Sequence, residues 1–131
     1  MPILTVQYRF RQRFLVSAAR AFHWCIDYRP DDLELEGTAG RRKVRWISDD
    51  LVLLTDTFFR PARRAIVKTK LVRVRPSELS WTSTHLTGPY RLSQFWYRIV
   101  PDGPRRSHLE FTGFHVQRDA PRAGPTARAT V

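Results

Sequence analysis

VSAARAFHWCIDYRPDDLELEG, residues 16–37, is the stretch on which the fold turns, because it carries helical periodicity in a chain that otherwise reads as strands. Ser17 suits the N-cap, where its hydroxyl can accept from an orphan N–H of the first turn. Arg20 stands where a capping box would carry Glu or Gln, so the full box is absent. Ala18, Phe22, Cys25 and Ile26 recur at i, i+4, i+7 and i+8, one face of a helix. Arg29–Pro30 ends that helix, since the residue before a proline is pushed out of the α region. Pro30 also suits the first turn of a second helix, with Asp31 and Asp32 at its positive end. Leu33 and Leu35 are expected to supply its apolar contacts, and Gly37 a left-handed cap. The reading is two short consecutive helices joined at a bend.

Strands lie on both sides. Upstream, residues 5–14 alternate: Val6, Tyr8 and Phe10 fall on one face, Gln7, Arg9 and Arg11 on the other, as in a half-buried antiparallel strand. Downstream, strands are expected over 42–47, 51–60, 63–75, 78–86, 91–100 and 106–117, separated by turn signals such as Ser48-Asp49-Asp50 and Pro101-Asp102-Gly103-Pro104. In 63–75, Lys68 and Lys70 share one parity and Arg73 and Arg75 the other, which predicts a β-bulge at Leu71–Val72 that re-aims the exposed face. Short loops favour antiparallel hairpin pairing. Residues 119–131, DAPRAGPTARATV, have almost no apolar bulk and no periodicity and are expected to be disordered.

At 131 residues the chain is one domain with room for a core, here residues 1–118. No apolar run approaches membrane-spanning length. The N-terminal arginines leave no signal core, and a lone Cys25 fits a cytoplasmic home. Lys and Arg number 23 against 12 Asp and Glu, a net charge of +11. Such a basic balance favours polyanions. The arginines, however, are scattered, with no dense block beyond Arg41-Arg42-Lys43, and read more simply as exposed strand residues.

One strand, two helices, then six antiparallel strands is an order that resembles the START-like superfamily, also called Bet v 1-like, or SRPBCC with its polyketide cyclases. The residues that carry the resemblance are VSAARAFHWCIDYRPDDLELEG at 16–37, LVRVRPSELSW at 71–81 and FWYRIVPDG at 95–103. The resemblance implies an α+β fold of helix-grip type: a curved seven-stranded antiparallel sheet, two short helices after the first strand, and an apolar cavity closed by a long C-terminal helix. The sequence departs from that pattern after Gln117. Pro121 and Pro125 would break a helix there, so the C-terminal helix is expected to be missing or replaced. An uncovered concave face would then favour self-association.

No catalytic constellation is evident, so catalytic residues stay unassigned. No metal-ligand spacing is present, and no cofactor is expected. His85 shares the parity of Leu79 and Trp81 and could face the cavity; the simpler reading is a wall histidine, the alternative a general acid or base. His108 and His115 have no partner at an identifiable spacing. Asp56 reads as an exposed strand carboxylate, Glu110 as an outer-face residue, and Cys25 as core. Trp46, Trp81, Phe95, Tyr97 and Phe111 fall on faces that a curved sheet turns inward, either as core or as ligand-pocket walls. Ser83, His85 and the Tyr97 hydroxyl would add the few polar groups a pocket needs. Three functions follow: a module that binds a small lipophilic molecule, a cyclase or dehydratase of the polyketide type, and a non-specific polyanion binder. The first accords best with the aromatic lining. Nucleic acid is disfavoured because no exposed patch of sequence interleaves basic and aromatic residues.

Overall fold

A computed structural model describes residues 3–88 and 90–118. Strand β1 (Ile3–Phe14) leads into helices α1 (Ala18–Cys25) and α2 (Asp32–Leu35). Strands β2 (Gly40–Ser48), β3 (Leu51–Phe58), β4 (Ile66–Arg75), β5 (Ser80–His85), β6 (Gln94–Pro101) and β7 (Ser107–Arg118) follow as an antiparallel meander. The sheet order is β1-β7-β6-β5-β4-β3-β2. The first strand therefore closes beside the last, from Ile3↔Arg118 to Phe14↔Ser107. The two helices carry the chain from one sheet edge to the other. This is the α+β, helix-grip arrangement expected from the order of elements. The expected disordered tail, and with it the question of a C-terminal helix, lies outside the described residues.

The caps of the helical segment form as their residues dictate, but α1 ends at Cys25, short of the expected stop at Arg29–Pro30, and α2 begins at Asp32, beyond Pro30. Ser17 is extended (φ −60°, ψ 157°) and its Oγ accepts from Arg20 N at 3.3 Å. Gly37 takes φ +74°, the left-handed conformation that stops α2. Leu33 is buried, but Leu35 is 71% exposed, against the expectation that both would pack. The reason is geometric: α2 is a single turn, and residues two apart on a helix point in nearly opposite directions.

Alternation sets the two faces of the sheet. Val52 and Leu54 of β3, Val72 and Val74 of β4, Trp81 of β5, Ile99 of β6 and Leu109 of β7 point to the concave side, where Ala18, Ala21 and Phe22 of α1 pack on them. The bulge expected at Leu71–Val72 does not form. Pairing runs unbroken from Leu51↔Arg73 to Phe58↔Ile66 and from Lys70↔His85 to Arg75↔Ser80. Lys68 and Lys70 therefore share the concave face with Val72 and Val74, while Arg73 and Arg75 face solvent. The lysines can sit inside because the fold gives them partners: Asp56 lies 3.7 Å from Lys70 Nζ, and the rings of Tyr90 and Phe58 lie under Lys68 Nζ. The register shift in the described strands falls instead in β2, between Trp46 and Ser48.

Candidate functional site

Trp81, Tyr97, Phe111 and Phe10 form one cross-strand row over β5, β6, β7 and β1. Residues directly opposite on one face of a sheet are close enough for rings to meet. Trp81 and Tyr97 stack at 4.8 Å between centroids, Tyr97 meets Phe111 edge-on at 4.9 Å, and Phe111 stacks on Phe10 at 4.5 Å. Phe95 adds a second layer, 5.8 Å from Phe111.

Two cavities open on this row. One, of about 640 Å³, lies between the helices and the sheet and is bounded by Phe14, Cys25, Tyr28, Arg42, Trp81 and Tyr97 among others. The second, of about 450 Å³, is bounded by Phe10, Lys68, His85, Tyr90, Phe95, Phe111 and His115. Lys70, Ser83 and Tyr97 belong to the walls of both, so the two are lobes of one trough. Each has the volume of an ordinary small-molecule site.

Of the residues singled out from sequence, the fold gathers Trp81, Ser83, His85, Phe95, Tyr97 and Phe111 along this trough. Trp46 stands apart on edge strand β2. It is 45% exposed, 6.5 Å from the Tyr28 ring, and belongs to the wall of neither lobe.

The charged part of the trough was not expected. Asp56 is not an exposed strand carboxylate; it is 1% exposed. Arg42, directly opposite on β2, grips it with two bonds, Nε to Oδ1 at 2.8 Å and Nη2 to Oδ2 at 3.0 Å. The third guanidinium nitrogen, Nη1, donates to Asp32 Oδ2 at 2.8 Å, which ties α2 to the sheet. A carboxylate survives burial when paired and hydrogen-bonded in this way. A signal was available in the sequence: Asp56 continues the parity of Val52 and Leu54, and Arg42 that of Val44.

His115 is 4% exposed, with both ring nitrogens buried and without a hydrogen-bond partner among the described residues. His85 Nδ1 is in the same state. His108, for which sequence spacing offered no partner, has several on the opposite face, Glu110 Oε2 among them at 3.6 Å from Nε2. Arg11 Nη2 donates to Nε2 at 2.9 Å, which leaves the ring proton on Nδ1 to be donated to Asp102 Oδ2 at 2.7 Å.

No family model matches the chain, and no curated protein matches it. Solved structures do. The chain is similar to the Zhui aromatase/cyclase from Streptomyces sp. R1128, at 13% identity and TM-score 0.73, over 95% of this chain and 73% of that one. It is similar to a START superfamily protein from Mycobacterium smegmatis, at 14% identity and TM-score 0.70, over 94% of this chain and 84% of that one. A third match is norcoclaurine synthase from Thalictrum flavum, solved with dopamine and hydroxybenzaldehyde, at 11% identity and TM-score 0.68, over 89% of this chain and 72% of that one. The chain has the START-like, or Bet v 1-like, fold. Identities this low establish the fold of the START-like domain and leave its chemistry to its own residues. Among the described residues no helix is long and apolar enough to cross a membrane.

Within the START-like trough, burial governs ionisation. Burial raises the Cys25 thiol to about 11, so it remains an unreactive thiol at neutral pH. Burial likewise raises the Tyr28 phenol, and lowers the Lys70 ammonium against the opposing pull of Asp56. His85 falls from 6.5 to about 4, first through burial and then through the charges of Lys70 and Lys68. In the window from about 4 to 6.5 the unfolded chain binds the proton that the folded chain refuses, so stability should rise with pH there. The span is worth on the order of 3 kcal/mol before solvent screening reduces it. Melts of wild type and His85→Gln across this window should show a shallower pH slope in the variant. Equal slopes would mean that His85 titrates normally.

Proposed function

We propose that the chain binds a small lipophilic molecule in the trough of its curved sheet. The observation that carries this reading is the aromatic row Trp81–Tyr97–Phe111–Phe10, which runs along two confluent lobes. Aromatic side chains offer large apolar contact area at little entropic cost, and a few polar groups beside them orient what binds. Ser83, His85 and Lys70 are those polar groups.

A neutral solvatochromic dye, Nile red, tests the reading. It should bind with a blue-shifted emission. Trp81→Ala and Tyr97→Ala should each weaken binding by about tenfold, the effect of losing roughly 1.4 kcal/mol of ring contact. Affinity that is unchanged in both variants would show that the rings serve only as core, and the proposal would fall.

A further inference from the structure

We propose that the lobe walled by Lys68, Lys70, His85 and His115 receives the carboxylate head of an amphipathic ligand, whose apolar body lies on Phe95 and Phe111. This rests on the reading of the trough as a ligand cavity and adds the chemical class of what enters it.

The concave face of the sheet presents Arg42, Lys68 and Lys70 as cations. Arg42 commits all three of its nitrogens to Asp56 and Asp32. Lys70 is left with a 3.7 Å contact to Asp56 Oδ2, an oxygen that already accepts from Arg42. Lys68 makes no ion pair among the described residues. Its Nζ sits 5.3 Å from the Tyr90 ring centroid and 5.5 Å from that of Phe58. Among the described residues the lobe therefore holds two partly buried ammonium groups whose one close counter-oxygen, Asp56 Oδ2, is already occupied. A charge drawn out of water wants a hydrogen-bonded partner of opposite sign.

Among the described residues, both ring nitrogens of the nearly fully buried His115 lack a hydrogen-bond partner, as does Nδ1 of His85. Native chains rarely leave such groups unsatisfied without a role for them. The two lysines and the two histidines converge on one space. Tyr90 touches both ends of it, with His115 at 4.6 Å and Lys68 at 5.3 Å. A carboxylate presents two acceptor oxygens and several lone pairs, enough to take an ammonium and an imidazole N–H together. A neutral alcohol cannot neutralise the lysines. Beside these groups on the same face of the sheet, Phe95, 5.3 Å from the His85 ring, and Phe111 are apolar and suit a ring or chain attached to that head.

The test uses two probes with the same apolar body, 9-anthracenecarboxylate and 9-anthracenemethanol, titrated calorimetrically at neutral pH. The carboxylate should bind about tenfold or more tighter than the alcohol, the margin that a hydrogen bond to a charged group supplies. Lys68→Met and Lys70→Met should each pull that ratio toward one. Arg73→Met, which removes a charge from the opposite face, should leave it unchanged and so controls for net charge. Melting curves establish that each variant is folded. Equal affinities for acid and alcohol in wild type, with Nile red still bound, would overturn the carboxylate assignment and keep the trough. A preference that survives both lysine variants, or is lost equally in Arg73→Met, would overturn the assignment to this lobe. Failure of both probes and of Nile red would overturn the trough reading as well.

Discussion

Asp56→Ala is expected to cost the fold about 3–5 kcal/mol, the loss seen when one member of a buried ion pair is removed and the other stays. Arg42 would keep one bond to Asp32 and lose both to Asp56, and Lys70 would lose its nearby carboxylate. Ordinary domains have roughly 5–15 kcal/mol of stability in all, so the variant would be marginal or unfolded. The paired replacement Arg42→Met with Asp56→Leu removes both charges and fills the space with apolar groups. It should lose less than the single variant, because no charge is left stranded. Urea unfolding followed by circular dichroism measures both. A single-variant loss below about 1 kcal/mol would show that water reaches this corner and that the network matters little.

Phe22→Ala should be comparably damaging, at about 3–5 kcal/mol. Helix α1 has eight residues, and its buried ones are Ala18, Ala21 and Phe22. Phe22 is the only large one of the three, is 1% exposed, and lies 6.0 Å from the Trp81 ring. Removing its ring leaves a cavity where the helix meets the sheet. The helix is too short to hold its conformation without that anchor. Trp24, two residues on and 75% exposed, provides the contrast: Trp24→Ala should change stability by no more than about 0.5 kcal/mol. Thermal melts of the two variants side by side decide the point. Equal losses would mean that α1 is held by something other than Phe22.

Local chemistry made much of this architecture readable. A hydroxyl at a cap and a glycine after an acidic turn act within a few residues, so Ser17 and Gly37 could be read directly; Pro30 bounds neither helix, since α1 ends at Cys25 and α2 begins at Asp32. Period-2 alternation is equally local, and it placed Trp81, Ser83 and His85 together on β5 and Phe95, Tyr97 and Ile99 together on β6. Charge misled it. Lys68, Lys70 and Asp56 look like solvent-facing residues one at a time. Lys70 and Asp56 belong inside because β2, β3, β4 and α2 bring Arg42, Asp32 and Asp56 to one corner, and Lys68 because the Phe58 and Tyr90 rings lie under its Nζ. His108 is a similar case, since Arg11 reaches it from 97 positions away. Trp46 follows the inward parity, but edge position, which parity does not encode, leaves it outside the lobes.

The pairing of β1 with β7 has a kinetic consequence. Phe14 finds its strand partner only at Ser107, so the first strand emerges from the ribosome long before its neighbour exists. Each successive hairpin from β2 to β7 closes a short loop, whereas joining β1 closes nearly the whole chain. Loop closure of that span must come before its contacts are gained, and folds rich in such distant contacts fold slowly. The meander can therefore assemble first, while β1, α1 and Phe22 wait. Until they dock, the aromatic row is open to any apolar surface nearby.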